Sequence, residues 1–381
     1  MRAACKGFSV ADALLAISNH ATFVGGGEHS FVDLISHLPG EYRVVASTPS
    51  EDTLSKKIRE RGIFTVIIPL PPIHATSIRQ IVKTILQFRR LCRERDIRLI
   101  YGNGSRAVFY GGIVGRISGI PVIWHCRVSE PDTFLDGILV RLAGRIIANS
   151  EATALRFSSR LLKKIETVYN GFDLKWLKDE HVQRPNWIDR DWNVILVVAR
   201  ASRWKRHDLI LQTFEKVACS EKNLHLVCVG EKDHSDSAWW DELQERTKKS
   251  SASKRIHWCG AVNDVRPWYR AASMMVLPSA NEPFGRVVIE AMALGVPVIA
   301  TRSGGIPEII THMQNGMLVP ENDADAIAEA VMNMLHDDLL RKRIIEQGLR
   351  RAEDFSIESH VEKMANIFSR LIKNCNGFAC M

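Results

Sequence analysis

The sequence lacks any apolar run of about 20 residues, the length that a membrane-spanning helix requires. Near its start, Asp12 interrupts the apolar stretch FSVADALLAIS, so we expect no signal peptide there. Low-complexity segments and short-period repeats are also missing. These absences argue against an integral membrane protein and against a repeat protein, and the 381 residues suggest two or three globular domains.

Closely spaced cysteines are missing too. The eight cysteines are scattered without a CxxC pattern, and most lie in apolar stretches, as is typical of small core residues in a reducing compartment. No HExxH or similar ligand cluster occurs. The sequence DAD (323–325) has a metal-binding spacing, but it precedes an apolar helical pattern and is better explained as acids at a helix start. We therefore expect no catalytic metal and no cofactor.

The net charge of +8 is distributed unevenly. Residues 1–180 contain 25 Lys and Arg against 17 Asp and Glu, whereas the remainder contains 26 of each. The segment 77–95 is especially basic, with Glu94 as its only acid. One interpretation is ordinary solvated charge. The other is a face that meets an anionic membrane surface or a phosphorylated substrate.

Apolar runs alternate with amphipathic ones along the chain. This pattern predicts parallel βαβ units and a doubly wound α/β fold. On the helix at 77–95, one face is predicted to bury Ile78, Ile81, Ile85, Phe88 and Cys92. Strands are predicted at 13–18, 42–48, 65–70, 97–103, 122–126, 145–150, 193–200, 224–230, 255–262, 273–280 and 296–301, with helices at 25–38, 51–62, 77–95, 285–295 and 355–374.

A polar stretch with Pro185 and no apolar period separates two similar α/β patterns. We expect an N-terminal Rossmann-like domain at 1–180, a linker at 181–192 and a C-terminal Rossmann-like domain at 193–354. Residues 355–381 form a last helix and tail, and the helix is expected to pack back towards the N-terminal domain.

The stretch NEPFGRVVIEAMALGVPVIATRSGG (281–305) contains two glutamates. Glu282 lies in a turn after a predicted strand, where open parallel sheets bind ligands, and the following helix N-terminus favours a phosphate or a sugar hydroxyl. Glu290 lies in an apolar helix, and a buried carboxylate needs donors. A vicinal diol such as a ribose supplies two. A neighbouring arginine or backbone group would satisfy it as well.

Two cations follow the strand at 193–200. Arg200 ends that strand and Lys205 follows a short loop, so together they can neutralise a diphosphate. Basic residues are also common in such loops without a ligand. In FVGGGEHS (23–30), Gly26 and Gly27 allow a ligand to approach the backbone, but the spacing fails the dinucleotide fingerprint GxGxxG. His125 lies at the end of a predicted strand and is either a structural histidine or a functional one.

Taken together, these motifs resemble glycosyltransferase family 4, retaining enzymes of the GT-B fold. The resemblance covers nearly the whole chain and is densest over 194–320. It rests on EPFGRVVIE, on the Arg–Lys pair, on the turn YNGFD (169–173) and on SGGIPEIITHMQNGMLV (303–319), which occur in the family's order. It implies two Rossmann-like domains facing a central cleft and a nucleotide-diphosphate sugar as donor.

The resemblance assigns roles to the candidate residues. Arg200 and Lys205 match the pair that binds the donor diphosphate and stabilises its departure. Glu282 matches the glutamate beside the transferred sugar, and Glu290 the one that holds the nucleotide ribose. His125 resembles the histidine near the sugar and its β-phosphate.

Backbone and glycine positions complete the implied donor site. Phe284 and Gly285 would offer N–H groups to the sugar, with Arg286 in the same donor-binding segment, while Gly26 and Gly27 match the loop that approaches the phosphates and acceptor. One departure is visible: the family's usual Lys-Gly is here Lys205 followed by Arg206. That change alters the loop or adds a third cation.

The implied function is sugar transfer to a glycan or lipid-linked acceptor in bacterial cell-surface polysaccharide synthesis, such as lipopolysaccharide, O-antigen or capsule. The implied location is the cytoplasm, with peripheral contact to the inner membrane, and no nucleic acid is expected as a partner. Two alternatives stay open. One is a nucleotide-sugar 2-epimerase of the same architecture, and the other is a non-catalytic member that binds nucleotide sugars.

Overall fold

The computed structural model of the chain describes residues 11–23 and 25–378, which form two compact units. The first unit extends to Phe172 and resumes at Ile357, and the second comprises Asp173–Ser356. Five cysteines are free thiols, at positions 92, 126, 219, 228 and 259. Cys5, Cys380 and the side chain of Cys375 lie outside the description.

The strands of the first unit form one parallel sheet. They are β1 (Asp12–Ser18), β2 (Tyr42–Thr48), β3 (Phe64–Ile67), β4 (Ile97–Asn103), β5 (Val122–Cys126), β6 (Arg145–Ala148) and β7 (Ile165–Thr167). Their spatial order is β3-β2-β1-β4-β5-β6-β7. The central strand β1 pairs with β2 and β4, so Leu14 lies opposite Val44 and Leu99. Because helices cover both faces, β1 is a continuous buried apolar run.

Helices connect these strands. They are α1 (Gly26–His37), α2 (Thr53–Glu60), α3 (Ile78–Glu94), α4 (Ser105–Ser118), α5 (Asp136–Leu142) and α6 (Glu151–Ala154). Asp52 and Ser55 form a capping box at the start of α2. On α3, Ile81 and Phe88 are buried as predicted, but the prediction for Ile78 is wrong because 59% of it is exposed. That residue lies in the first turn of the helix, on the side away from the core.

The second unit repeats this architecture with a sheet ordered β10-β9-β8-β11-β12-β13, all parallel. Its elements are α7 (Leu174–Leu177), β8 (Asn193–Val198), α8 (His207–Ala218), β9 (Leu224–Val229), α9 (Ser237–Lys249), β10 (Ile256–Trp258), α10 (Arg266–Ala271), β11 (Met274–Leu277), α11 (Arg286–Ala293), β12 (Val298–Thr301), α12 (Ile306–Ile309), β13 (Met317–Val319), α13 (Ala324–His336) and α14 (Asp338–Glu353).

Both sheets reverse their winding direction between two central strands. In the first unit this point lies between β1 and β4, and in the second between β8 and β11. Open α/β sheets bind ligands outside the carboxyl ends of the strands at this point. The candidate residues Gly26, Gly27, Lys205 and Glu282 all follow one of these four strands.

The last helix, α15 (Ile357–Phe378), belongs to the first unit. Its buried side chains, including Met364 and Phe368, join the core formed by β1, β2, β4 and α1. The ring of Phe368 lies 5.8 Å from that of Tyr42 and 6.0 Å from that of Tyr101. The Tyr42 hydroxyl also donates a hydrogen bond to the Ala365 carbonyl at 3.0 Å. A segment that follows the whole second unit therefore completes the first unit's core.

The predicted doubly wound α/β class is confirmed. Strands β2, β4 and β5 have the predicted bounds. The predicted strand at 273–280 ends at Leu277, because Pro278 cannot donate to a strand ladder. The sequence patterns do not predict β7 and β13, which are only three residues long.

We expect Phe368→Ala to lower the stability of the first unit strongly. Phe368 is fully buried, and removing a buried phenylalanine ring costs about 3–5 kcal/mol through lost burial and the remaining cavity. The measurement is the urea midpoint of unfolding by circular dichroism. Leu155→Ala is the control, because Leu155 is 83% exposed and should leave the midpoint nearly unchanged. Equal midpoints for the two variants would contradict the packing role of α15.

Candidate functional site

The loops that follow β8 and β11 meet through a pair of opposite charges. A short 3₁₀ turn, Arg203–Lys205, places the Lys205 Nζ 2.5 Å from the Glu282 Oε2. Both side chains are largely buried, at 13% and 10% exposure. The ammonium also lies 3.9 Å from the centre of the Trp204 ring. A positive and a negative group thus converge at the winding reversal of the second sheet.

The backbone around Glu282 is held by the loop after β12. Asn281 adopts a positive φ of 53° and donates its N–H to the Ser303 hydroxyl at 2.5 Å. Gly305 donates its N–H to the Glu282 carbonyl at 2.8 Å. Between them, Gly304 has a positive φ of 52°, and a Cβ there would overlap the Glu282 carbonyl oxygen. The SGG segment (residues 303–305) therefore supports Glu282 through a contact that only glycine permits.

Helix α11 begins beside this glutamate. The N-cap residue, Gly285, has a φ of 97°, and no side chain in the described part of the chain caps the helix there. Phe284 is 3% exposed and packs edge-on against Phe355, with ring centres 5.9 Å apart. Buried packing of Phe284 fixes where the helix starts. The positive end of the helix dipole consequently lies next to the Lys205–Glu282 pair.

Glu290 is buried and already has two donors. The Arg286 Nε lies 2.9 Å from one carboxylate oxygen, and the Tyr269 hydroxyl lies 3.2 Å from the other. Burial, and then the negative charge of Glu290, raise the pKa of Tyr269 well above 10, so its hydroxyl remains a donor. Each carboxylate oxygen can accept a second hydrogen bond. Arg286 is thus the neighbouring arginine that the sequence suggests as a partner of Glu290. The carboxylate oxygens of Glu290 can still accept hydrogen bonds from a diol.

Arg200 is the exposed cation of the site. Its side chain is 52% exposed, and its Nε lies 3.9 Å from the Asp233 Oδ2, at the limit of an ion pair. The pKa of Asp233 is lowered, mainly by a hydrogen bond from the Ser235 hydroxyl and to a smaller extent by Arg200. The structure does not pair Arg200 with Glu282 or Glu290. The Arg200 side chain is therefore accessible to a ligand from the solvent.

The sequence leaves open whether Arg206 is a third cation of the site. In the structure it is not a further free cation. It adopts left-handed backbone angles, φ 53° and ψ 45°, where a glycine is more common. Its guanidinium donates to both Asp208 carboxylate oxygens at 3.1 Å and also to Asn322. Arg206, which stands where the family usually has glycine, therefore keeps the left-handed turn. Its side chain links that turn to α8 and to the residues before α13.

The candidate residues of the first unit lie after β1 and at the end of β5. Gly26 and Gly27 open α1, and the Glu28 carboxylate folds back over Gly25. His125 is fully buried, with its Nδ1 2.6 Å from the Tyr101 hydroxyl and its Nε2 without a hydrogen-bond partner among the described residues. Burial, followed by the charge of Arg127, lowers its pKa well below 6.5, so the ring is neutral at pH 7.

Tyr269 and Ser303 take part in this site but are not predicted from the sequence. Tyr269 is at the end of α10, and Ser303 precedes the glycine pair. The spacing of apolar residues does not show that Tyr269 contacts Glu290. Ser303 could have been identified, because it is a polar residue just after a predicted strand. Within the described residues, no group of three or more His, Cys, Asp or Glu side chains is arranged to hold a metal ion.

Two family models match the chain. Residues 24–176 match Glycosyltransferase Family 4, and residues 179–351 match Glycosyl transferases group 1. The chain is similar to N-acetyl-alpha-D-glucosaminyl L-malate synthase of Bacillus anthracis, with 28% identity over 56% of this chain and 55% of the relative. It spans about half the length of the curated relatives that it matches first.

Two further similarities concern glycan synthesis and the fold. The lipopolysaccharide core biosynthesis mannosyltransferase LpsB of Rhizobium meliloti is 32% identical over 36% of this chain and 40% of its own length. The crystal structure of HepE from Anabaena in complex with UDP and glucose superposes with a TM-score of 0.80. It has 21% identity and covers 93% of this chain and 99% of HepE. This likeness shows that the fold is GT-B.

We expect Gly304→Ala to destabilise the protein more than Gly260→Ala. Both glycines have positive φ, 52° and 67°, so both variants carry a comparable backbone penalty of about 1–2 kcal/mol. Only the Cβ at 304 would overlap the Glu282 carbonyl, whereas nothing lies within 4 Å of a Cβ at 260. Thermal unfolding of the two variants measures the difference. Equal losses would show that the SGG segment does not support Glu282 as described.

Proposed function

The chain belongs to glycosyltransferase family 4, the group 1 glycosyl transferases, and from that membership we propose a retaining transfer of sugar from a nucleotide-diphosphate donor. The observation that carries this proposal is the Lys205–Glu282 pair at the winding reversal of the second sheet. Such a pair offers a cation to a leaving diphosphate and a carboxylate to the hydroxyls of the sugar. Both groups approach from adjacent strand ends.

Charge stabilisation of the leaving group would supply much of the rate. Breaking the bond between sugar and phosphate adds negative charge to the diphosphate, and preorganised cations stabilise that charge. Lys205 is held in place by Glu282 and by its contact with Trp204, so little reorganisation is needed. Arg200 is exposed and brings a planar guanidinium that can bind two phosphate oxygens. The leaving phosphate then helps to deprotonate the acceptor on the same face of the sugar.

Glu290 is proposed to hold the ribose of the donor. Arg286 and Tyr269 fix its carboxylate with one bond to each oxygen. A ribose diol would use the remaining acceptor capacity of those oxygens. Phe284 and Gly285, at the start of α11, would offer N–H groups to the sugar. Gly26, Gly27 and neutral His125 of the first unit are proposed to contact the phosphates and the acceptor.

Three similar proteins suggest the finer chemistry. The HepE structure contains UDP and glucose, which supports a uridine nucleotide sugar as the first donor to test. LpsB acts in lipopolysaccharide core biosynthesis, and the Bacillus anthracis protein is an N-acetyl-alpha-D-glucosaminyl L-malate synthase. We propose that this chain likewise extends a cell-surface glycan such as lipopolysaccharide, O-antigen or capsule, from the cytoplasmic side.

An isomerase is the second candidate. The Glu28 carboxylate beside Gly25 is a group that acid–base chemistry on a sugar would use, as in nucleotide-sugar 2-epimerases. Incubation with UDP-glucose and UDP-N-acetylglucosamine separates the possibilities by product. A glycosylated acceptor supports the transferase, and a 2-epimer supports the isomerase. Bound but unchanged nucleotide sugar supports a non-catalytic binding protein.

Helix α3 supports contact with a membrane surface. Apart from its buried face, it exposes a second apolar row, Ile78, Val82 and Leu86, at 59%, 48% and 57%. Residues four apart lie on one face of a helix, and Arg79, Lys83, Arg89, Arg90 and Arg93 flank the row. Near the C-terminal end of α3, Arg89, Arg93 and Arg98 line a cavity of about 570 Å³.

This combination fits the interface of an anionic bilayer, where apolar side chains enter the headgroup region and basic ones bind phosphate. None of the described helices has the length and apolar character needed to cross a membrane. We propose reversible, peripheral binding through α3, which would bring a lipid-linked acceptor to the enzyme.

We expect Arg200→Ala and Lys205→Ala each to reduce turnover of the nucleotide sugar by about 10²–10³-fold. Removing one charge-assisted contact to a developing oxyanion costs about 2–4 kcal/mol in the transition state. Arg200 is half exposed, so its variant should fold normally. Steady-state kinetics with UDP-sugars provide the measurement. Lys216→Ala is the control, because Lys216 pairs with Asp325 on the surface of α8 and α13. Unreduced turnover in both variants would refute the diphosphate assignment.

We expect the protein to sediment with vesicles that contain phosphatidylglycerol and not with pure phosphatidylcholine vesicles. Each basic residue near an anionic surface contributes about 1 kcal/mol, and added salt should weaken binding. The double variant Val82→Ser/Leu86→Ser should bind less, because it removes the exposed apolar row. Leu155→Ser changes an exposed leucine elsewhere in the first unit and serves as control. Failure to bind anionic vesicles at low salt would contradict the proposal.

A further inference from the structure

Arg127 follows β5 directly and lies in the first unit at the carboxyl edge of the sheet. Its side chain is half-buried and rests against the glycine turn, since a Cβ at Gly27 would lie 3.5 Å from the Arg127 Cδ. A Cβ at position 27 would be in ordinary van der Waals contact with the Arg127 side chain. The glycine therefore leaves this side of Arg127 uncovered, at the carboxyl edge of the first sheet.

Two asparagines orient this guanidinium. The Arg127 Nε donates to the Asn103 Oδ1 at 2.8 Å, and its Nη1 donates to the Asn170 Oδ1. Asn103 is the last residue of β4, and Asn170 belongs to the YNGFD turn. Both are almost fully buried, at 4% and 5% exposure. Two separate chain segments thus hold one cation in a defined direction.

The positive charge of Arg127 is not neutralised by a partner. Amide oxygens accept its hydrogen bonds without carrying charge, and no carboxylate in the described part of the chain lies within ion-pair distance of it. Beside it, the Tyr101 hydroxyl and the His125 Nδ1 lie 3.4 Å from Nη2, and that histidine is neutral. A half-buried cation without a counter-charge is costly unless a ligand supplies one.

The guanidinium has donors to spare. It carries five N–H groups, and the contacts with Asn103, Asn170, Tyr101 and His125 use four at most, which leaves one N–H on Nη1. That N–H can donate to one oxygen of a phosphate or a carboxylate, and the two Nη2 contacts, at 3.4 Å, are long enough to be exchanged for a second oxygen. The first N–H groups of α1, at Gly26 and Gly27, lie on the same side of the sheet and favour negative charge, which the Glu28 carboxylate beside Gly25 already supplies in part.

We propose that Arg127 and the Gly26–Gly27 turn form an oxyanion site that binds an acidic group, a phosphate or a carboxylate, of the acceptor. This inference rests on the proposed transferase function, in which Arg200 and Lys205 of the second unit bind the donor diphosphate. Asn103 and Asn170 are positioning residues, because they orient Arg127 without contacting the ligand. The site selects acidic acceptors over neutral ones.

The test titrates the protein with inorganic phosphate and with malonate, each in the presence of saturating UDP so that the donor diphosphate site is filled. Asn103→Asp is the decisive variant. It keeps the shape and the acceptor oxygen but places a carboxylate on the Arg127 Nε. Both Asn103→Asp and Arg127→Gln should weaken phosphate or malonate binding at least tenfold. Arg145→Gln is the control, because Arg145 is a first-unit arginine that already pairs with Glu166 at 3.2 Å.

UDP affinity separates the two proposals. It should be unchanged in Asn103→Asp and Arg127→Gln, and reduced in Arg200→Ala. If UDP binding falls in the Arg127 variant as much as phosphate binding does, the oxyanion belongs to the donor and the acceptor site is refuted. If neither anion is weakened by Asn103→Asp, the site itself is refuted. Failure of the wild-type protein to bind any of UDP, GDP and ADP would overturn the proposed function instead.

Discussion

The ion pair between Lys205 and Glu282 is the contact on which the arrangement of the second unit's candidate site depends. It links loops from two neighbouring strands, and three other features are arranged around it. The SGG segment holds the glutamate backbone, Trp204 lies under the ammonium, and the start of α11 is fixed by the burial of Phe284. Breaking such a buried pair on one side leaves an uncompensated charge, so its two members are constrained together.

The site also shows how a carboxylate is accommodated in an apolar helix. Glu290 is bound by Arg286 one turn earlier and by Tyr269, which explains why an acid is tolerated in an apolar helix. The same two donors fix the orientation of the carboxylate. A ligand diol would therefore meet a rigid acceptor rather than a mobile one, which lowers the entropy lost on binding.

Much of this could be predicted from the sequence, and the limits have physical causes. Strands β2, β4 and β5 are mostly buried, so each contains an apolar run that makes it recognisable in the sequence. Lys205 and Glu282 could be placed at strand ends from the sequence. Their contact could not be predicted, because 77 residues separate them and a sequence pattern does not give the distance between remote residues. The exposure of Ile78 was missed since helical spacing does not show which of two apolar rows meets the core. The role of Arg206 became clear only from its backbone angles and its bonds to Asp208 and Asn322.

The position of α15 in the chain has a consequence for how the protein is made. A ribosome synthesises the first unit's seven strands, then the whole second unit, and only then the helix that covers Phe31, Tyr42 and Tyr101. Until that helix emerges, one face of the first sheet lacks part of its cover, and exposed apolar surface of this kind is prone to aggregation. The second unit, which is continuous in sequence, has no such delay. Nascent chains of this protein should therefore complete their second unit before their first, the reverse of the order in which the two are translated.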